Sequence, residues 1–361
     1  MEIKEYLQEY RKKVDKELEK YFELKTKQAV DLHPLAEEAV GVIKDITMSG
    51  GKRIRPAIIY YSYLANGGVS NEEIVKTSMS IELAHIFLLI HDDIIDKDDF
   101  RHGVPTAHRR YEKKALRVMS HQKVKEDAKH FGTSMAIVVG DMASSMTQEI
   151  IFNSSFPSDT IIKALNAMQE IVYRTLPGEM MDVEMELRGR ADEEEILKMH
   201  EGKTARYTFE GPIHMGWVLA GGVSRDNMDN FSKYALPVGK AFQIRDDILG
   251  VFGQEDKLGK PVGSDIIEGK QTLLILKARE RGNNSQRKIV DELLGKRDLS
   301  LEELEEIRKI IRETGSLNYS QELAERMVKE GLEFLHKVDF KNAEAKDFFE
   351  KVADYIIRRS V

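Results

Sequence analysis

Cysteine is absent from the 361 residues, so the chain forms no disulfide and brings no thiolate to a metal or a redox reaction. An excess of positive charge is missing as well. Against 55 lysines and arginines stand 62 aspartates and glutamates, a formal net charge of −7, and with no long basic block this argues against a nucleic-acid binder. No apolar run reaches the ~18 residues that a membrane span needs; Ile81–Ile90 is short and interrupted by Glu82 and His85. The first twenty residues, MEIKEYLQEYRKKVDKELEK, are charged from the start and hold no signal-peptide core. Strand-like alternation is nearly absent, and no internal repeat stands out. The expectation is a soluble, cytoplasmic, all-α protein. Its 41% apolar content is enough for a sizeable core.

What is present is helical periodicity and, within it, acid. Ile3, Leu7, Tyr10, Val14, Leu18, Tyr21 and Leu24 recur every three or four residues and predict an amphipathic helix over 3–30. Pro34 opens a second helix that runs to about Met48. The centre of the chain is 81–99, IELAHIFLLIHDDIIDKDD, an apolar helix ending in carboxylates. Asp92 and Asp96 are four apart and share a face, while Asp93 turns to the side. Stacked carboxylates do not both stay ionised cheaply unless cations lie between them and another anion. Hard oxygen ligands of this kind suit Mg²⁺, which takes one or two carboxylates plus substrate phosphates. Taken alone, the run reads as a solvated acidic helix end; two further features change that.

The first is SGGKRIRP at 49–56. Its glycines free the backbone, and Lys52, Arg53 and Arg55 crowd cations together, which is what a diphosphate needs. The second is a downstream acidic group, FQIRDDILGVFG, where Asp246 and Asp247 end a helix over 231–252 and Gln243 lies one turn before Asp246. Between them, FRHGVPTAH (100–108) puts Arg101, His102 and His108 around a Gly-Val-Pro turn, and GKTARYTFEGP (202–212) offers Lys203 and Thr204. Residues 109–130 read as a basic surface helix or loop without chemistry. The methionine-rich helices from 131 to 187, punctuated at Gly140-Asp141 and Pro177-Gly178, read as core. Their acids Glu179, Asp182, Glu184 and Glu186 offer the lining of a polar cavity, but a solvated face is the simpler reading. The segment 253–270 is Gly-rich, carries Lys257, Lys260 and Lys270, and reads as a flexible lid. The rest, 271–361, returns to amphipathic helix. One domain spanning 1–361 is the simplest architecture, because the two acidic helices must share a site.

In order, GGKRIRP, HDDIID with FRHGVPTAH, GKTA, and FQIRDDILG with LGKPVGSDI and GK resemble the trans-isoprenyl diphosphate synthases, the polyprenyl synthetase family, over about residues 45–280. The resemblance implies an antiparallel helical bundle of the isoprenoid synthase type around a deep central cavity, usually a homodimer. It implies condensation of isopentenyl diphosphate with an allylic diphosphate. By matching position, Asp92, Asp93, Asp96 and Asp246, with Asp247 in support, would hold three Mg²⁺ on the allylic diphosphate. Arg101, Lys203, Lys260 and Lys270 would bind that same diphosphate. Lys52, Arg55 and His85 match positions that bind isopentenyl diphosphate, and His102 stands where a second arginine contacts it. Lys203, Thr204 and Gln243 match groups facing the developing carbocation.

Two departures accompany the resemblance: His102 in place of arginine, and Gly250 where a third acid of the second Asp motif is common. A terpene cyclase would share the first Asp motif but has no use for the basic loop. A non-catalytic partner subunit of a heteromeric synthase would account for both departures, but every principal ligand is intact. For product length, the resemblance assigns an aromatic five residues before the first Asp a limiting role. Phe87 stands there, with Leu88 beside it, and the expectation is fifteen to twenty carbons, twenty favoured, with farnesyl diphosphate as the alternative. Periodicity by itself sets Phe87 ~140° from Asp92, a flanking wall of the helix and not an obvious floor.

Overall fold

The computed structural model describes residues 2–119, 124–222, 224–253 and 263–358. The chain forms two compact units, one of residues 1–60 and 69–165, the other of 61–68 and 166–361. Both are helical. The only strands among the described residues are the two-residue pair Phe100–Arg101 and Val104–Pro105.

In the first unit the amphipathic pattern at the N-terminus becomes helix Ile3–Leu32, which buries Tyr10, Val14, Leu18 and Phe22. His33 caps the next helix, Pro34–Met48, by accepting from the Leu35 N–H at 3.1 Å, and Pro34 loses nothing at a first helical position. The region from Asn71 to Asp96 breaks at Met79 into Glu72–Ser78, capped by Asn71, and Ser80–Asp96. Ser80–Asp96 packs against Val124–Phe152, burying Ile81, Leu83, Ala84, Ile86 and Ile90. By length and composition, the stretch Glu72–Asp96 is apolar enough to cross a membrane, contrary to the expectation that none was. Its best window has a mean hydropathy of 1.3, and 67% of that window is buried inside the protein. That burial accounts for the apolar run as core.

In the second unit the long helix Arg225–Phe252, capped by Ser224, packs against Ser316–Leu335 and against residues 201–210. Phe231, Tyr234, Phe348 and Phe349 are buried there, and Tyr234 donates to the Phe349 carbonyl at 2.8 Å. Of the methionines read as core, Met168 and Met185 are buried, whereas Met180 is 71% exposed. Pro177-Gly178 and Gly140-Asp141 do not punctuate: they lie inside helices Ser158–Arg188 and Val124–Phe152. A proline costs a helix interior roughly 3 kcal/mol, yet the helix runs on through Pro177 to Arg188. Residues 109–130 resolve into helix Ala107–Val118 and the start of Val124–Phe152. Half of the lid expected over 253–270, residues 254–262 with Lys257 and Lys260, lies outside the described residues.

Candidate functional site

The acidic end of Ser80–Asp96 separates its carboxylates by burial. Asp93 is fully buried, whereas the side chains of Asp92 and Asp96 are part-exposed on the helix face they share. Asp93 Oδ1 accepts from Arg101 Nε at 2.9 Å and from the same guanidinium's Nη2. Arg101 also reaches Asp98 at 3.2 Å and Asp92 at 3.6 Å. Burial lifts the Asp93 carboxyl to about 6, against the pull of Arg101. Arg101 is therefore an oriented cation, held from behind by Asp93 and flanked by the metal-type acids.

What aims Arg101 is the small hairpin. Phe100 pairs with Pro105 and Arg101 with Val104, and the two turn residues, His102 and Gly103, have φ 50° and 79°. Two positive φ values are what a tight two-residue hairpin requires, and histidine tolerates the first better than most side chains. The His102 ring packs on Gly50 of the glycine-rich loop. Although the His102 side chain is exposed overall, partial desolvation of its ring, then Arg101 and Arg53, hold its pKa below the ordinary histidine value. His85 is lowered further, by desolvation and then by Arg55, Arg101 and His102.

In the basic loop Arg53 is a structural cation. Arg53, also at positive φ (53°), is buried and donates to Asp15 at 2.7 Å, Glu82 at 3.1 Å and the Thr47 carbonyl at 2.7 Å. It fastens the loop to the helices Ile3–Leu32 and Ser80–Asp96. Lys52 stays exposed and Arg55 half-buried at the entry to helix Ile54–Ala65. Phe87 and Leu88 are part-exposed one turn before the acids. The Phe87 ring meets the His91 ring edge-on at 5.0 Å, and His91 Nε2 lies 3.2 Å from the Ile137 carbonyl.

The second unit carries its own group. Residues Glu201–Glu210, which carry the GKTA motif, form a π-helix; such wide turns cluster at functional sites. Gly178 lets this segment touch helix Ser158–Arg188, since a β-carbon there would collide with the Lys203 backbone. Lys203 Nζ bonds Asp182 at 2.7 Å and pairs with Glu179 at 2.8 Å. These two acids, for which a solvated face is the simpler sequence reading, are partners of Lys203, and nothing in their local sequence marks that pairing. Glu184 pairs with Arg188 on the surface, as that reading had it. Thr204 Oγ1 donates to Gln243 Oε1 at 2.5 Å, and Gln243 Nε2 donates to Asp247 Oδ1 at 2.7 Å. Asp247 is buried and Asp246 part-exposed. Lys270 pairs with Glu268 at 3.0 Å. Lys260 is outside the described residues.

The donor set fits a hard divalent cation. Asp92 and Asp96 offer carboxylate oxygens from one helix face, and those of Asp96 and Asp98 come within 4.8 Å of each other. Carboxylate oxygens of this kind are what Mg²⁺ takes.

Comparison with known proteins agrees with the fold and the motifs. A geranylgeranyl pyrophosphate synthase from Corynebacterium glutamicum, solved with isoprenyl diphosphate and magnesium, is 29% identical with a TM-score of 0.89, over 100% of both chains. A geranylgeranyl diphosphate synthase of Sulfolobus acidocaldarius is 35% identical over 86% of this chain and 88% of its own. A geranylfarnesyl diphosphate synthase of Aeropyrum pernix is 32% identical over 88% and 93%. The fold is the all-α isoprenoid synthase fold, and the protein is a prenyltransferase by class. A family model described as polyprenyl synthetase matches residues 37–311. The chain belongs to the polyprenyl synthetase family.

Proposed function

We propose that this chain condenses isopentenyl diphosphate with an allylic diphosphate, head to tail, and that geranylgeranyl diphosphate is the product. The observation that carries the reading is Arg101 oriented by Asp93 beside Asp92 and Asp96. A guanidinium so placed needs no reorganisation to meet a phosphate. The names of relatives in the family support the substrates and the product range.

On this reading, Asp92, Asp96 and Asp246, with Asp247 behind, hold three Mg²⁺, and residues 1–361 act as one catalytic domain. The ions supply positive charge to the diphosphate as it leaves. Arg101, Lys203, Lys260 and Lys270 bind the same leaving group, so negative charge that builds on it meets fixed cations. Lys52, Arg55, His85 and His102 bind isopentenyl diphosphate and hold its double bond toward the allylic carbon. Thr204 and Gln243 face the cation left when the C–O bond breaks. The double bond attacks that carbon, and the proton then lost from the new chain passes to the released pyrophosphate, so no dedicated base is required. Excluding water keeps the cation from being quenched. A soluble homodimer in the cytoplasm completes the proposal; the net charge of −7 and the burial of Glu72–Asp96 support solubility.

The test is incubation of the purified chain with Mg²⁺, labelled isopentenyl diphosphate and each allylic primer, with sizing of the products. A twenty-carbon product is expected. No condensation with any primer would overturn the reading.

A further inference from the structure

His200 is a buried titratable side chain with no part in the steps above. It is the last residue of helix Glu193–His200, directly before the π-helix, and it is 0% exposed. Neither of its ring nitrogens makes a well-formed hydrogen bond, and the same is true of Asp247 Oδ2. These two unsatisfied groups face each other, with Nε2 3.2 Å from Oδ2. The other Asp247 oxygen accepts from Gln243, which accepts from Thr204. Four side chains thus form one line: His200, Asp247, Gln243, Thr204.

The line has a direction. An aspartate carboxylate only accepts, so the Gln243 amide must turn its NH₂ toward Asp247 and its oxygen toward Thr204. An amide oxygen only accepts, so the Thr204 hydroxyl must spend its one proton on Gln243. The lone pairs of Thr204 Oγ1 are then all that it can offer elsewhere. Had the amide been reversed, the hydroxyl would have accepted from the NH₂ and pointed its proton outward instead. For a group that meets a cation, the first polarity is attractive and the second repulsive.

We propose that His200 and Asp247 are positioning residues that fix this polarity, so that Thr204 presents lone pairs to the carbocation. The inference rests on the reading above, in which Thr204 and Gln243 face that cation. His200 needs only a neutral ring with its Nε2–H toward Oδ2. In that state it holds the second carboxylate oxygen still and leaves the first to Gln243. The fully buried setting makes the arrangement stiff, because neither partner has water as an alternative.

The experiment is a cycle of His200→Leu, Thr204→Val and the double variant, read as steady-state kcat and both KM values, with His200→Gln as the rescue. Glutamine keeps an N–H at the reach of Nε2. Thr204→Val alone tests the parent reading: a fall in kcat supports a role for Thr204 at the cation, and unchanged kcat overturns that role, whatever His200 does. For the inference itself, His200→Leu is expected to lower kcat at least tenfold with both KM values within twofold, and His200→Gln to recover most of it. In the Thr204→Val background, His200→Leu is expected to cost nothing more. A further tenfold loss in that background, or equal impairment of the Leu and Gln variants, would show a packing role only and overturn the proposal. Where His200→Leu fails to fold, the near-isosteric His200→Phe, which also lacks a ring N–H, carries the same test, with the same loss expected alone and none expected on top of Thr204→Val.

Discussion

At Gly250 the Asp265 carboxylate occupies the space where a side chain would begin. A β-carbon on Gly250 would stand 3.1 Å from Asp265 Cγ and overlap one carboxylate oxygen. The Gly263 N–H bonds the Gly250 carbonyl at 2.8 Å and fastens the two segments together. The family's second Asp motif commonly has its third acid at this position, and here a carboxylate arrives from downstream in the chain. Gly250→Asp should therefore be harmful, since it adds a second negative charge where one already sits and overpacks the contact at a cost of about 1–3 kcal/mol. Tenfold or greater loss of kcat is expected, with recovery when Asp265→Ala is added. Full activity of Gly250→Asp alone would break the link between the two residues.

The all-helical class and the acid motifs were legible because both are periodic: apolar residues every three or four, and Asp92 and Asp96 one turn apart. What was not legible depended on partners far along the chain. Nothing near Glu179 and Asp182 marks them as turned toward Lys203, 21 residues from Asp182, because an acidic helix face looks the same whether it meets water or a lysine. The π-helix at 201–210 has no periodic signature in ten residues, and Pro177 suggested a break where the helix runs on. Asp265 beside Gly250 is a contact between a helix end and a short helix, invisible without the fold. His102 was read as a missing arginine, and its second reason for being there, the positive φ of a tight turn, emerged only from the backbone.

Turnover should require both acid groups. Asp92→Ala, Asp96→Ala and Asp246→Ala are each expected to lower kcat by orders of magnitude, and chelation of Mg²⁺ should abolish condensation reversibly. These side chains are part-exposed, so circular dichroism and the thermal midpoint should change little. Near-normal turnover of the Asp92→Ala, Asp96→Ala double variant would remove the metal assignment.

Acid should destabilise the fold earlier than carboxylate titration requires. Desolvation lowers the pKa of His85, His102 and His214 below 6.5, and that of His108 to about 4. The unfolded chain takes up these protons near 6.5 and the native chain does not, so stability is full above that pH and declines below it. His108 alone contributes up to about 3 kcal/mol across its interval. Asp93, held up to about 6, acts with the opposite sign as a single group. Urea midpoints should fall between about pH 7.5 and 5, and His108→Gln should flatten part of the slope. A midpoint constant over that range would contradict the desolvation of these rings.

His102 should make isopentenyl diphosphate binding depend on pH. In the free protein its pKa is lowered by partial desolvation and by Arg101 and Arg53, so the ring is neutral at pH 7. A bound diphosphate raises it. Between the two values binding takes up a proton, and affinity falls as pH rises through that interval. His102→Arg should tighten binding above the interval and remove the slope, less about 1 kcal/mol for placing arginine at positive φ. Calorimetric titration from about pH 5.5 to 7.5 reads this directly. If His102→Ala retained the wild-type slope, the proton would belong to another group.

Phe87 should set the length of the product. It is part-exposed, lies between the buried start of helix Ser80–Asp96 and the acids at its end, and leans edge-on against His91. His91 in turn rests by Nε2 on the Ile137 carbonyl of helix Val124–Phe152, so the aromatic pair is braced from outside and has little freedom to swing away. A chain growing from the acids toward Ile81 would meet a ring that cannot yield. Truncation to Phe87→Ala removes that ring and should shift products to twenty-five carbons or more, while Leu88→Phe should shorten them. Edge-on contacts of this kind also serve plain packing, and the two roles separate cleanly. An unchanged product distribution for Phe87→Ala at preserved turnover would return Phe87 to the helix wall, whereas longer products with a small loss of stability would make it the floor.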